Sequence, residues 1–250
     1  MALRNVKLTV AYDGTAYHGW QIQPGFNTVQ GVLTEAVRSL LGDEVRVFGA
    51  SRTDAGVSAL GQVALIQIDS PVPTENLPRA ITGRLPDDIA IVSAEDVPMG
   101  FNVIGDVTNK LYRYTICTSK VRPVLRIRNC WHRPGALDVP AMDKAAKFMV
   151  GKKDFKSFAA AADSRENSVR TIFRCDVTTD AGVEKDWIYI DVEGDGFLYN
   201  MVRNVVGTLV EVGVGRWQPE RMTEILAACD RTAAGPIAPA SGLCLMWIRY

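Results

Sequence analysis

The stretch Thr28–Gly42, TVQGVLTEAVRSLLG, contains the first helix that the sequence predicts. Thr28 is a residue type that caps helix N-termini, and Gly42 is typical of the position just after a helix. Between them, apolar residues recur at the spacing of one helix face: Val29, Leu33, Ala36, Val37, Leu40 and Leu41. The pattern therefore predicts an amphipathic helix that packs against another layer of the fold.

Strands are predicted on both sides of this helix. Val6–Tyr12 alternates apolar and less apolar positions and ends at a turn signal, Asp13-Gly14. The elements after the helix are strands at Val45–Phe48 and Val63–Ile68, a short helix at Glu75–Leu85 and a strand at Ile89–Ala94. This β-α-β-β-α-β order is that of one ferredoxin-like unit.

The second half of the chain predicts a similar series of elements. In chain order they are a strand at Lys110–Thr118, a helix from Pro140 to Met149, strands at Val169–Thr178 and Trp187–Glu193, helices at Phe197–Val212 and Pro219–Ala228, and a closing strand at Gly242–Arg249. We therefore predict two α/β units, residues 1–105 and 106–250, although the sequence shows no convincing internal repeat.

The composition excludes several classes of protein. The 250 residues are 47% hydrophobic and 22% charged, as expected for a globular chain, and no apolar run is long enough to span a membrane or to act as a secretory signal. Five widely spaced cysteines without a CxxC motif, together with two histidines, argue against a disulfide framework or a metal site and fit a reducing cytoplasm. Catalysis must therefore use carboxylates, Arg, Tyr, Ser or backbone groups.

Charge is balanced overall but unevenly distributed. Lys plus Arg and Asp plus Glu each number 28, which argues against a general polyanion binder. From Val107 to Leu137, however, there is no acidic residue and there are seven Lys or Arg residues, and a second basic enrichment runs from Lys144 to Arg174. A focused basic surface suits one specific anionic partner, whereas the alternative is a set of solvated strand and loop faces.

The most unusual loop is Gly49–Gln62, GASRTDAGVSALGQ, which lies between two predicted strands and is rich in small residues. Asp54 precedes Gly56, a residue that permits positive φ, and follows Arg52 by two positions. A carboxylate in such a loop can remain ionised and act as nucleophile or base. The structural alternative is an Asx turn in which Arg52 is an ion-pair partner.

Three other segments carry candidate functional residues. Tyr12–Gln23 is a polar and aromatic loop, which can stack on and hydrogen-bond to bases or can simply bury its own rings. In Lys110–Tyr114, alternation places Tyr112 and Tyr114 on one strand face, where Tyr112 can pack over a substrate ring or belong to the core. Arg203 lies in an otherwise apolar helix and therefore requires a carboxylate, a phosphate or solvent as partner.

Together these segments resemble the tRNA pseudouridine synthases of the TruA family. The similarity covers nearly the whole chain in the order of the family, and its RTDAGV element is highly specific. The matching segments are YDGTAYHGWQIQP, NTVQGVL, SRTDAGVSALGQV, KLYRY, GFLYNMVRNVVGTLVEVG and LAACDRTAAGPIAPASGLCLMWI.

The resemblance implies a role for four residues. Asp54 matches the catalytic aspartate, and Arg52 is expected to pair with it and orient it. Tyr112 is expected to stack against the target base, and Arg203 is expected to lie beside the aspartate as a cation. The reaction breaks the N1–C1′ bond of uridine and rejoins the base through C5, so that no redox cofactor and no metal are expected.

The resemblance also implies a fold and a partner. The expected fold is α+β, with two ferredoxin-like α/β units whose sheets join into one extended, mostly antiparallel sheet, and with a basic cleft between the units. The expected assembly is a homodimer that binds tRNA, away from any membrane, and modifies its anticodon stem-loop at positions 38–40.

Two positions depart from the family pattern. The family often has His at the position of Ser58, and often has Arg shortly after the position of Phe101, where this chain has Asn102, Val103 and Ile104. Both departures concern RNA contacts and not the catalytic aspartate. Two alternative functions remain open from the sequence: a non-catalytic RNA-binding module, and an aspartate-dependent hydrolase of a small molecule.

Overall fold

The computed structural model describes residues 3–161, 163, 167–180 and 185–250. The chain divides into two compact units. The first contains the residues up to Thr108 together with Cys244–Tyr250, and the second is Asn109–Leu243. This division lies three residues from the predicted boundary between residues 105 and 106. The prediction placed the last strand in the second unit, whereas Cys244–Tyr250 belongs to the first unit.

The first unit is a mostly antiparallel sheet with two helices. Its elements are β1 (Arg4–Tyr12), α1 (Val29–Leu41), β2 (Val47–Gly49), β3 (Ser58–Ile68), α2 (Leu77–Thr82), β4 (Ile89–Val97) and β10 (Leu243–Arg249). β1 pairs antiparallel with both β3 and β4, and β2 pairs antiparallel with β3. β10 joins the other end of β3 in parallel, with Cys244 opposite Ser58. The predicted β-α-β-β-α-β order is present.

Local sequence explains these elements. In β1, Val6, Leu8 and Val10 alternate with less buried residues and are themselves fully buried, as expected for a strand with one face on the core. Helix α1 begins after Thr28, whose side-chain oxygen accepts a hydrogen bond from the backbone N–H of Gly31 at 3.3 Å. The predicted cap and apolar face of α1 are therefore confirmed.

The second unit is also built on an antiparallel sheet. Its elements are β5 (Asn109–Cys117), β6 (Trp131–His132), α3 (Val139–Lys147), β7 (Gly151–Asp154), β8 (Val169–Thr179), β9 (Trp187–Gly194), α4 (Met201–Gly213) and α5 (Arg221–Ala228). β9 lies between β5 and β8, and β7 pairs with the other edge of β8. The short β6 runs parallel to β5. The predicted α+β class with mostly antiparallel pairing is confirmed in both units.

Helix α4 is the most deeply buried element of the second unit. All of its residues except Arg203 are buried, which is the pattern of a helix covered on every side. The predicted start at Phe197 is wrong, because Asn200 has φ 60° and ψ 7°, a left-handed conformation that a helix does not continue through. The first turn therefore begins at Met201, two residues before Arg203.

Candidate active site

Asp54 lies at the first position of a tight turn in the loop between β2 and β3. The backbone N–H of Val57 donates to the carbonyl of Asp54 at 3.1 Å, which closes a four-residue turn. Gly56 occupies the third position with φ 78°, the conformation that a type II turn requires and that glycine adopts without strain. The sequence Asp-Ala-Gly-Val thus fixes the backbone from which the half-buried Asp54 carboxylate projects.

The loop that follows β1 holds this turn in place through backbone contacts. The N–H of Trp20 donates to the carbonyl of Thr53 at 3.1 Å, and the N–H of Gly56 donates to the carbonyl of Tyr17 at 3.2 Å. Gly19 has φ 89°, and a Cβ there would lie 2.7 Å from the carbonyl oxygen of Thr53. The aromatic loop predicted from the sequence therefore fixes the backbone on both sides of Asp54, through its hydrogen bonds to residues 53 and 56. We call this arrangement the clamp.

Side chains reinforce the same clamp from within the core. Tyr12 Oη and Thr53 Oγ1 share a buried hydrogen bond of 2.7 Å, directly before Asp54. The ring of Trp20 is buried beside Tyr12, with centroids 5.9 Å apart. Tyr17 Oη donates to Asp88 at 2.6 Å, and burial together with this carboxylate raises the pKa of Tyr17. The tyrosines and Trp20 therefore belong to the folded loop, the structural alternative considered for this segment.

Tyr112 lies on β5 in the second unit, opposite Val192 of β9. Its side chain is buried and meets the ring of Phe197 edge-on, with centroids 5.2 Å apart and an interplanar angle of 87°. Tyr114, on the same strand face, is a core residue whose hydroxyl donates to the carbonyl of Pro239 at 2.7 Å. The predicted alternation along β5 is confirmed, and Phe197 gives the Tyr112 ring a fixed orientation.

Arg203 is half-buried in the first turn of α4. Its Nε donates to the carbonyl of Ala238 at 2.8 Å, and its Nη1 donates to Oδ1 of Asn200 at 2.9 Å. Both of these oxygens are uncharged, and together they hold the guanidinium in one orientation. The sequence predicted a carboxylate, a phosphate or solvent as the partner of Arg203, and it predicted neither of these two oxygens.

Among the described residues, no group of three His, Cys, Asp or Glu side chains is placed to hold a metal ion. Within the same residues, no helix is long and apolar enough to cross a membrane. The cysteines, predicted to form no disulfide framework, are all free thiols.

Comparison with known proteins identifies the family to which these residues belong. A family model described as tRNA pseudouridine synthase matches residues 8–104 and 145–250, more than half of the chain. The chain belongs to the tRNA pseudouridine synthase family. Proteins named tRNA pseudouridine synthase A are 43% identical in Thermoanaerobacter sp. (strain X514) and 45% identical in Ruminiclostridium cellulolyticum, over 99% of this chain and 100% of each relative. The predicted family and enzyme class, an isomerase, are confirmed.

Similarity to one solved structure is low. A chain in a crystal structure of the Cbf5–Nop10–Gar1 complex is 12% identical, with a TM-score of 0.33, over 82% of this chain and 54% of that chain. A similarity at this level carries no argument about fold or function.

The two departures from the family pattern have structural consequences in this synthase. Ser58 is buried, and its Oγ accepts a hydrogen bond from the N–H of Gly14 at 3.0 Å. Ser58 therefore helps to join the two loops of the clamp. Ile104 is exposed and lies in a turn in which Asn102 Oδ1 accepts from its backbone N–H at 3.1 Å.

Arg52 does not pair with Asp54 in the structure. Its side chain is exposed and makes no hydrogen bond or ion pair to any described residue, whereas the intervening Thr53 points into the core. The predicted contact of Arg52 with substrate stays a prediction, and its exposed guanidinium is accessible to a phosphate.

The basic stretches contain two classes of cation. Some are held by carboxylates, as in Arg113, whose Nε and Nη2 donate to Asp191 at 2.7 and 2.8 Å. The others in this class are Lys144 with Glu220, Lys147 with Asp143 and Asp176, and Arg174 with Asp176, Asp191 and Glu193. A second class has exposed side chains that make no hydrogen bond or ion pair within the described part of the chain: Lys120, Arg122, Arg128 and Lys152. Arg165 lies outside the described residues.

Proposed function

We propose that this protein converts uridine to pseudouridine in the anticodon stem-loop of tRNA, with Asp54 as the catalytic carboxylate. The observation that carries the proposal is the turn at Asp54, which is tied by backbone hydrogen bonds at Thr53 and Gly56 to a second loop. An enzyme site requires this kind of pre-organisation, because a misplaced reacting group costs rate. A simple surface turn does not require a buried Tyr12–Thr53 hydrogen bond beside it.

The chemistry assigned to Asp54 is nucleophilic or basic. An ionised carboxylate can attack C1′ of the ribose, attack C6 of uracil, or remove a proton from the sugar. In each case the N1–C1′ bond breaks, the base turns, C5 bonds to C1′, and the proton on C5 is lost to solvent. The family assignment is compatible with all three routes.

The other site residues are proposed to bind the substrate. The Tyr112 ring, held edge-on by Phe197, stacks on the flipped uracil, and stacking of this kind contributes about 1–3 kcal/mol per base. Arg203, oriented by two uncharged oxygens, supplies a positive charge that favours the ionised carboxylate. Arg52 binds a phosphate near the target nucleotide. A homodimer in the cytoplasm is the proposed working form, as the family resemblance implies.

The experiment that tests this proposal is pseudouridine mapping on an unmodified tRNA transcript incubated with the purified protein. We expect pseudouridine at uridines of the anticodon stem-loop, positions 38–40, and nowhere else. Modification confined to another arm of the tRNA would contradict the proposed substrate region, whereas no modification with intact tRNA binding would favour a non-catalytic RNA-binding module. Turnover of a small-molecule ester or phosphate without RNA modification would favour a hydrolase.

A further inference from the structure

A ridge of exposed apolar side chains lies on the second unit, in the loop between β5 and β6. Val121, Val124 and Leu125, which we call the apolar ridge, are 76%, 74% and 99% exposed. Single exposed apolar residues are ordinary, but three within five positions form a patch that folding of the unit does not explain. Residues Val124–Asn129 of this loop form a short 3₁₀ helix, so the ridge has a defined backbone.

Exposed cations alternate with the apolar ridge. The side chains of Lys120, Arg122 and Arg128 are exposed, and none of these side chains makes a hydrogen bond or ion pair among the described residues. The nearest acidic residues in sequence are Asp106 and Asp138, outside the whole stretch from Val107 to Leu137. Cations that form no ion pair remain available to an external anion, in contrast to Arg113, which Asp191 holds on the same unit.

The loop is anchored rather than merely protruding. The Arg126 guanidinium lies 3.6 Å from the centroid of the Trp187 ring, and its Nη2 donates to the hydroxyl of Tyr189 at 3.4 Å. At the base of the loop, Ser119 Oγ accepts from the backbone N–H of Val121 at 3.2 Å. Because Arg126 is the anchor, the residues on either side of it are presented to solvent on a pre-formed support.

We propose that the apolar ridge and these three cations form an RNA-contact surface for the tRNA substrate. Lys120, Arg122 and Arg128 bind phosphates, and the ridge packs against riboses or unstacked bases beside them. This inference rests on the proposed function, because it takes tRNA as the occupant. It adds a binding surface in which apolar side chains contribute in addition to phosphate contacts.

Charge complementarity favours RNA over a second copy of this chain. In a symmetric dimer built on the patch, the same surface would meet itself and bring unpaired cations together. A polyanion avoids this repulsion, because it neutralises the cations and needs only local apolar contact.

The test uses two double variants of the full-length protein and one control. Val124→Ser/Leu125→Ser removes two of the three ridge side chains, and Arg122→Ala/Arg128→Ala removes two cations; all four side chains are exposed, so folding should be retained. Val92→Ser is the control, since Val92 is 59% exposed on β4 of the first unit. For each protein, affinity for an unmodified tRNA transcript is measured over a salt series, and mass is measured by sedimentation equilibrium.

We expect the ridge variant to lose at least fivefold in affinity at every salt concentration, with an unchanged salt slope and an unchanged mass. The arginine variant should lower the log–log slope by up to about 2, since each phosphate contact contributes about 0.7–0.9. Val92→Ser should match the wild type. Unchanged affinity of the ridge variant for tRNA would overturn the proposal. A reduced mass of the ridge variant would also overturn it, because the ridge would then form a contact between copies of this chain. Failure of the proposed function would appear separately, as wild-type protein that forms no pseudouridine.

Discussion

The buried hydrogen bond between Tyr12 and Thr53 should set both the stability of the Asp54 loop and the rate of the reaction. The two hydroxyl oxygens lie 2.7 Å apart in the core, so removing one leaves the other without its partner. Such a loss costs about 1–3 kcal/mol, whereas removing both partners together is nearly neutral. We therefore expect Tyr12→Phe and Thr53→Val each to lower the free energy of unfolding by that amount, and the double variant to lose much less than the sum.

Turnover should follow the same pattern, because Thr53 directly precedes Asp54, the proposed catalytic residue. A loss of about 1.4 kcal/mol from positioning is a tenfold reduction in rate, so each single variant should lower kcat about tenfold at unchanged KM. Thr53→Ser, which keeps the hydroxyl, should retain most of the rate. The assays are denaturant unfolding and single-turnover kinetics with saturating tRNA.

Tyr250→Phe is the matched control for this cycle. It removes a tyrosine hydroxyl that donates to the carbonyl of Val103 at 2.9 Å, in the same unit but outside the clamp. It should lower stability by about 0.5–1.5 kcal/mol and leave kcat unchanged. Strictly additive losses in the Tyr12–Thr53 cycle, or a Tyr12→Phe rate within twofold of wild type, would refute the positioning argument.

Three further perturbations test other parts of the account. Arg203→Met should lower kcat strongly in single-turnover assays. Arg203→Lys should restore only part of the rate, because an ammonium group cannot donate to Ala238 and Asn200 from one planar fork. Equal rates for Arg203→Met and wild type would limit Arg203 to a role in the helix. Gly56→Ala should lower the free energy of unfolding by about 1 kcal/mol and reduce kcat, since φ is 78° there; an unperturbed melting temperature would contradict the strain. Burial lowers the pKa of Lys110 to about 8 from its ordinary 10.5. Between pH 8 and 10.5, Lys110 therefore binds more protons in the unfolded chain than in the folded protein. The free energy of unfolding of the wild type should rise over this pH range relative to that of Lys110→Met. Parallel pH profiles of the two proteins would contradict this.

Sequence patterns were sufficient wherever the information is local. The capping oxygen of Thr28, the alternation in β1 and the glycine needed at position 56 all depend on residues within a few positions of one another. The proposed catalytic role of Asp54 also comes from a local pattern, because the RTDAGV element around it is specific to the family. These features are encoded by residue type at fixed spacing.

Long-range contacts could not be predicted in this way. The clamp on Asp54 is made by backbone groups of Trp20 and Tyr17, which have no side-chain signature. The partner of Arg203 at Ala238 lies thirty-five residues away. Strands β6 and β7 were missed because they have two and four residues and form through pairing with distant strands rather than through their own alternation.

The start of α4 shows a different limit. The apolar spacing from Phe197 to Val212 continues through Asn200, so periodicity alone places the helix too early. The backbone at Asn200 instead turns left-handed, and its side chain accepts from Arg203. Asn200 thus combines a left-handed backbone with a contact to Arg203, a candidate functional residue. Backbone strain of this kind persists where it positions a functional side chain.

Release of the C5 proton tests the central claim, that the Asp54 carboxylate performs the reaction, most directly. Unmodified tRNA labelled with tritium at C5 of uridine is incubated with wild type, Asp54→Asn and Asp43→Asn, whose side chain is exposed in another loop of the first unit. We expect wild type and Asp43→Asn to release tritium at the same rate, and Asp54→Asn to release none above background while binding tRNA with nearly unchanged affinity. Tritium release by Asp54→Asn within tenfold of the wild-type rate would contradict the account.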